Sequence, residues 1–193
     1  MWILIIAIII FILFYKGSSK KEESSSKFKI SEEEKAANEG YPVAQFIFGS
    51  RYLFGEGVSK DEQKGIEWIT KSAEQGYPDA QYILGTMSLV GEVVPQDLDK
   101  AVRLITKAAE KDNISAQGVL GGMYFDGNVI ERDYYKALSW LKKAETGGHP
   151  MARDLIDKIY KEVPPEEVLK SFSDETDKIE SSFAELGIDL SKH

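Results

Sequence analysis

A spacing constrains this chain more than any single segment does. Ala44, Ala80, Ala116 and Ala152 stand 36 residues apart, and other residues recur in step with them. Gly49, Gly85 and Gly121 share the period, as do Gly55, Gly91 and Gly127. So do Asp61, Asp97 and Asp133, then Lys64, Lys100 and Lys136, then Lys71, Lys107 and Lys143. A unit of that size cannot bury an apolar face alone, so neighbouring units stack and share a core. The period therefore specifies an all-α fold, an α-solenoid of helix pairs, with full units at 44–79, 80–115 and 116–151.

Each unit opens on a first helix: AQFIFGSRYLFGEG, AQYILGTMSLVGEV and AQGVLGGMYFDGNV. On a helical wheel, positions 44, 48, 49 and 52 and their equivalents fall on one side. Mid-helix glycine costs about 1 kcal/mol relative to alanine, so Gly49, Gly85 and Gly121 in register imply close helix packing as compensation. Gly55, Gly91 and Gly127 end these helices. Asp61, Asp97 and Asp133 then start the second helices, where a carboxylate accepts from free N–H groups. Trp68, Leu104 and Trp140 supply a large anchor at one position, and Lys71, Lys107 and Lys143 lie towards the helix ends. Pro42, Pro78 and Pro150 precede the next alanine and are expected to start the following helix, where proline's missing N–H is harmless. Upstream, Ser31 and Glu34 read as a capping box that starts a half-repeat cap over 31–43. Downstream of Ala152 the register fades. Residues 152–193 read as a C-terminal helical cap broken at Pro164 and Pro165, with Ile179, Phe183 and Leu186 on one stripe near the end.

The N-terminus differs from the rest. Residues Trp2 to Tyr15 (WILIIAIIIFILFY) carry no charge and no helix breaker. Ile, Leu and Phe each contribute about −0.3 to −0.6 kcal/mol at the centre of a spanning helix, so insertion is favourable. Fourteen residues reach roughly 21 Å against about 30 Å of hydrocarbon, and local thinning with interfacial Trp2 and Tyr15 closes the gap. No basic residue precedes the run and no small-residue cleavage site follows it, which favours an uncleaved single-pass anchor, 1–16, over a signal peptide. Lys16, Lys20, Lys21, Lys27 and Lys29 all follow it, placing the repeats in the cytoplasm by the positive-inside rule, with a periplasmic domain as the alternative. The Ser- and Lys-rich stretch 17–30 reads as a flexible linker.

After residue 30 the chain holds 30 acidic and 19 basic residues, a charge that repels nucleic-acid backbones. The chain has no cysteine, hence no disulfide or thiolate chemistry, and only two histidines, His149 and His193. No phosphate-binding loop or His/Glu cluster at metal-ligand spacing appears, and His149 aligns with Tyr41 and Tyr77 at an inter-repeat turn. The reading is not an enzyme, with no cofactor, no metal and no small-molecule substrate.

The residues also carry a resemblance. Ala116, Leu120, Gly121, Tyr124, Gly127, Asp133, Lys136, Ala137, Trp140, Lys143, Ala144 and Gly148 follow the pattern of the Sel-1-like repeat, a relative of the tetratricopeptide repeat. Ser88, Val93, Val129 and Glu145 depart from it. The resemblance implies a right-handed superhelix serving as an adaptor or scaffold for another protein, with first helices lining its concave face. Residues pointing away from the wheel's core side are then the expected partner-binding positions: Phe46, Ser50 and Leu53, Tyr82, Thr86 and Leu89, Gly118, Gly122 and Phe125. They describe a groove running from aromatic (Phe46, Tyr82) to bare backbone (Gly118, Gly122); the alternative is that some of them pack against the adjacent second helices. Two functions of different class fit: a membrane-tethered scaffold, or, as in some bacterial proteins with similar repeats, an immunity protein neutralising a secreted toxin such as a lipase.

Overall fold

The computed structural model describes residues 23–168 and 170. Among them the regular elements are all α-helices: α1 (Glu23–Asn38), α2 (Pro42–Phe54), α3 (Glu62–Glu74), α4 (Pro78–Val90), α5 (Leu98–Glu110), α6 (Ile114–Asp126), α7 (Tyr134–Thr146) and α8 (Ala152–Glu162). They divide into two compact units, one ending at Ala101 and one beginning at Val102.

In the first unit, Tyr41 and Tyr77 are extended residues with proline at the first helical position after each, so α2 and α4 start without a side-chain cap. Both end on a glycine in the left-handed region, Gly55 at φ 71° and Gly91 at φ 77°, where a side chain would be strained. The loop to the next helix is tied by the N–H of the capping aspartate. Asp61 N–H donates to Tyr52 O at 2.9 Å and Asp97 N–H to Ser88 O at 2.9 Å. Each carboxylate then accepts from the backbone three residues on, Lys64 N at 3.1 Å and Lys100 N at 2.8 Å. One residue thus fixes both the loop and the helix start.

Close packing of α2 on α3 explains the registered glycines. A Cβ at Gly49 would lie 2.9 Å from both Gly65 O and Ile69 Cγ1. Around that contact Phe48 and Ile69 are fully buried, and Phe48 sets its ring edgewise on Trp68 at 5.5 Å. Burying a side chain of this size contributes about 1.5–3 kcal/mol.

In the second unit the loop between α5 and α6 lacks the Gly–Tyr–Pro sequence found before α4. Asp112 takes the left-handed conformation itself, at φ 60°, and Asn113 caps α6 by accepting from Ala116 N at 2.8 Å. A polar cap thus replaces the proline. Asp133 repeats the loop tie, donating to Tyr124 O at 3.0 Å and accepting from Lys136 N at 2.8 Å. Helix α8 starts at Ala152 with Met151 at its N-cap, so Pro150 lies in the turn before it and not, as expected, at the helix start. It closes this unit: Ile156, Ile159 and Val163 form a buried cluster with Ala137, Leu138, Leu141 and Ala144, and Val168 packs against it beyond the break at Pro164.

Two expectations about the N-terminal region change. Helix α1 begins at Glu23, so half of the stretch read as a flexible linker is helical, and Ser31 is an interior helical residue rather than a cap. Neither glycine nor proline occurs between Glu23 and Asn38, so nothing in that sequence stops the helix. Among the described residues no helix is long and apolar enough to cross a membrane. The anchor expected over residues 2–15 and the stripe of Ile179, Phe183 and Leu186 lie outside the described residues.

Candidate partner-binding face of the first helices

The first helices are buried over most of their circumference: α2 packs on both α1 and α3, α4 packs on α3 before it, and α6 packs on α7. In α2, Gln45, Phe46, Phe48, Gly49, Ser50 and Leu53 are all buried; in α4, Ala80, Gln81, Leu84, Gly85, Thr86 and Ser88. The groove drawn from the helical wheel is therefore corrected at most of its positions. Phe46 is 7% exposed and stacks on Tyr77, ring centroids 5.2 Å apart. Leu53 is buried against Gly65. Ser50 and Thr86 are buried and their hydroxyls donate to carbonyls of their own helix, Phe46 O at 2.9 Å and Ile83 O at 2.9 Å. Tyr82 and Leu89 are half-buried.

In the second unit Gly118 is covered rather than bare. The imidazole of His149 lies on its backbone, and a Cβ there would be 2.6 Å from Nε2. His149 Nδ1 accepts from the N–H of Met151 at 3.3 Å, and burial holds the ring's pKa below its ordinary value. His149 is thus a neutral packing group at the turn. Phe125 is half-buried with Lys158 5.2 Å above its ring and Tyr134 at 6.2 Å. Of the expected positions here, Gly122 remains open, with nothing within 4 Å of where a Cβ would stand.

The side of the first helices that faces solvent lies further round the wheel. In α2 it carries Val43 and Phe54, exposed by 48% and 39%, with half-buried Ile47 between them. The same positions in α4 hold Asp79, Ile83 and Val90, all half-buried, beside half-buried Met87. In α6 they hold Ser115, Val119 and Asp126. Ile47, Ile83 and Val119 keep the 36-residue period, so each first helix offers a β-branched aliphatic side chain at one place. The flanking positions change from Val43 to Asp79 to Ser115 and from Phe54 to Val90 to Asp126. On each first helix taken by itself, an apolar position that recurs is flanked by positions that differ from repeat to repeat.

A second set of residues was also hidden in the period. Gln45, Gln81 and Gln117 are buried, and each side-chain amide donates to an alanine carbonyl at the end of the preceding second helix. The partners are Ala37 O at 3.3 Å, Ala73 O at 3.2 Å and Ala109 O at 3.2 Å. These glutamines join successive helices. Four of the six recurring lysines are likewise engaged. Lys64 and Lys136 pair with Asp61 and Asp133 and lie over Tyr52 and Tyr124, and Lys71 and Lys143 lie over Trp68 and Trp140 at 4.0 and 4.3 Å. Among the described residues no group of His, Asp and Glu side chains is arranged to hold a metal ion.

Fold and face together define a class: an all-α protein of tandem helix pairs whose repeated polar residues serve packing and capping. The chain belongs to the Sel1 repeat family, whose profile matches residues 42–77, 78–113 and 114–149. Each match begins where a first helix begins, two residues before the alanines that marked the period. No curated protein matches the chain in sequence. Among solved structures, a Sel1 repeat protein from Oxalobacter formigenes is similar at 30% identity and TM-score 0.64, over 67% of this chain and 98% of that one. A protective antigen of uropathogenic Escherichia coli with an SLR fold is similar at 35% identity and TM-score 0.62, over 66% of this chain. This chain spans only 27% of that antigen's length. Cysteine rich protein B of Helicobacter pylori shares the fold at 19% identity and TM-score 0.54, over 72% of this chain and 99% of that one.

Proposed function

We propose that the protein is a membrane-tethered scaffold that binds a partner protein through the solvent-facing side of its first helices. One observation carries the reading. Ile47 and Ile83, one repeat apart in the first unit, are apolar side chains that folding leaves half-buried, and the positions flanking them change from Val43 and Phe54 to Asp79 and Val90. Partly exposed aliphatic side chains at a fixed helical position suit the apolar side of a bound segment, and a variable rim confers selectivity. The repeat family's fold is of the protein-interaction type, which supports the same assignment. Catalysis forms no part of the reading, since the recurring aspartates serve as helix caps and Lys64, Lys71, Lys136 and Lys143 lie over aromatic rings.

Tethering rests on the sequence of residues 2–15 alone, uncharged and rich in Ile, Leu and Phe. The lysines after that run favour a cytoplasmic repeat domain, with a periplasmic one as the alternative. A tether raises the local concentration of the face at the bilayer without adding contacts. The test is site-directed photocrosslinking from Ile47 and Ile83 in isolated membranes, with Gln63 on α3 as the control. Recovery of one discrete partner supports the scaffold. If that partner is a secreted toxin whose activity the chain blocks, the narrower immunity role holds.

A further inference from the structure

The linker between the proposed membrane segment and the repeats is the element whose structure departs most from expectation. Helix α1 runs unbroken from Glu23 to Asn38. At about 1.5 Å per residue it is a rod of roughly 24 Å. Its last turns are fastened to α2 in three ways. Arg51 donates from Nε and Nη2 to the two carboxylate oxygens of Glu33, the second bond at 3.0 Å. Both side chains are largely shielded, at 19% and 15% exposure. Ala37 is 1% exposed, and its carbonyl accepts from Gln45 Nε2 at 3.3 Å.

Arg51 is itself positioned from the far side: its Nη1 donates to Glu56 O, in the loop after Gly55, at 3.3 Å. The guanidinium therefore bridges the loop of the first repeat to the carboxylate of α1. A planar fork on a carboxylate fixes orientation as well as distance. By the 36-residue period, Met87 and Met123 stand at the equivalent positions and cannot make such a bridge.

We infer that α1 is a rigid strut, clamped by Arg51 and Glu33, so that the first repeat and α1 move as one piece. This inference rests on the membrane reading above, because the strut's role is to set the stand-off of the repeats from the bilayer. Only residues 16–22 separate the apolar run from α1, and their contour is at most about 25 Å. At the repeat end, the Arg51–Glu33 clamp holds α1 to the first repeat. A partner engaged by the first helices is met at a bounded height above the lipid.

The chain has no cysteine, so paired spin labels can be placed freely. Labels at Ser25→Cys and Glu67→Cys report the strut; labels at Lys60→Cys and Glu74→Cys are a reference pair within the repeat. The full chain is floated with phosphatidylcholine–phosphatidylglycerol vesicles, and the floated fraction is measured by dipolar spectroscopy. The inference predicts a strut distance distribution as narrow as the reference. Arg51→Gln should widen the strut distribution at least two-fold and leave the reference unchanged, and the reversed pair Arg51→Glu with Glu33→Arg should narrow it again. A broad strut distribution in the unaltered, floated chain overturns the strut and leaves the membrane reading standing. A narrow distribution in a chain that does not float overturns the membrane reading and, with it, the stand-off role.

Discussion

Arg51 grips Glu33 through two hydrogen bonds, and Glu33 occupies the position that Ile69 and Ile105 fill, fully buried, in the repeats that follow. The leading helix therefore closes onto the stack with an ion pair where the interior uses an aliphatic side chain. Both groups are mostly shielded, so removing one strands the other. Arg51→Gln should destabilise the fold by about 1–3 kcal/mol in denaturant unfolding. Replacing both with the residues of the second repeat, Arg51→Met with Glu33→Ile, should be neutral or stabilising, because an apolar pair has no desolvation cost.

Neighbouring glycines in α6 should respond oppositely to one methyl group. A Cβ at Gly121 would lie 2.7 Å from Leu141 Cγ and 3.2 Å from Ala137 O, whereas at Gly122 it meets nothing within 4 Å. Gly121→Ala is expected to cost about 1–3 kcal/mol through overpacking. Gly122→Ala should gain up to about 1 kcal/mol from helix propensity. Thermal unfolding of the two variants side by side checks the sign of each.

The loop before α6 stores a little strain. Asp112 sits at φ 60°, where the corresponding residues before α2 and α4 are Gly40 and Gly76. Its carboxylate accepts from Gln117 Nε2 at a long 3.4 Å, a weak return. Asp112→Gly should therefore raise stability, by about 1 kcal/mol or less, and Asp112→Val should lower it. Chemical denaturation midpoints decide both.

His149 makes stability depend on pH. Burial lowers its pKa in the folded chain below the ordinary 6.5, so between the two values the unfolded chain binds more protons. Its contribution is complete above pH 6.5 and is lost as pH falls through the folded value. Protonation also removes the lone pair at Nδ1 that accepts from Met151 N–H. The unfolding midpoint should fall from pH 7.5 to pH 5.5, and His149→Gln should flatten that fall. Equal slopes in the two chains would show that the imidazole is not the responsible group.

The packing framework was legible in the sequence because it repeats. Asp61, Asp97 and Asp133 cap helices, and Gly55, Gly91 and Gly127 turn them, at the positions the period marks. The solvent-facing side of the first helices was less legible. A wheel assumes one buried side, but first helices packed on several neighbours are buried over most of their surface, so Phe46, Ser50, Leu53 and Thr86 fell inside. Apolar residues all round such a helix leave no contrast to mark the open side. The signal that would have found it was in the register: Ile47, Ile83 and Val119 keep a β-branched aliphatic side chain at one position of the period. The His149 ring over Gly118 could not be read from spacing, because it depends on how the turn folds back.

The proposed function requires the first helices to present their solvent-facing side to a partner protein. Photocrosslinking from Ile47 and Ile83 in native membranes, with Gln63 on the exposed side of α3 as the reference, reads out that contact. One discrete adduct of the same mass is expected from Ile47 and Ile83, none from Gln63, and the Ile83 adduct should be lost when Ile47 is changed to glutamate in a chain that still folds. Equal adducts from all three positions, or an Ile83 adduct that survives Ile47→Glu undiminished, would rule the face out.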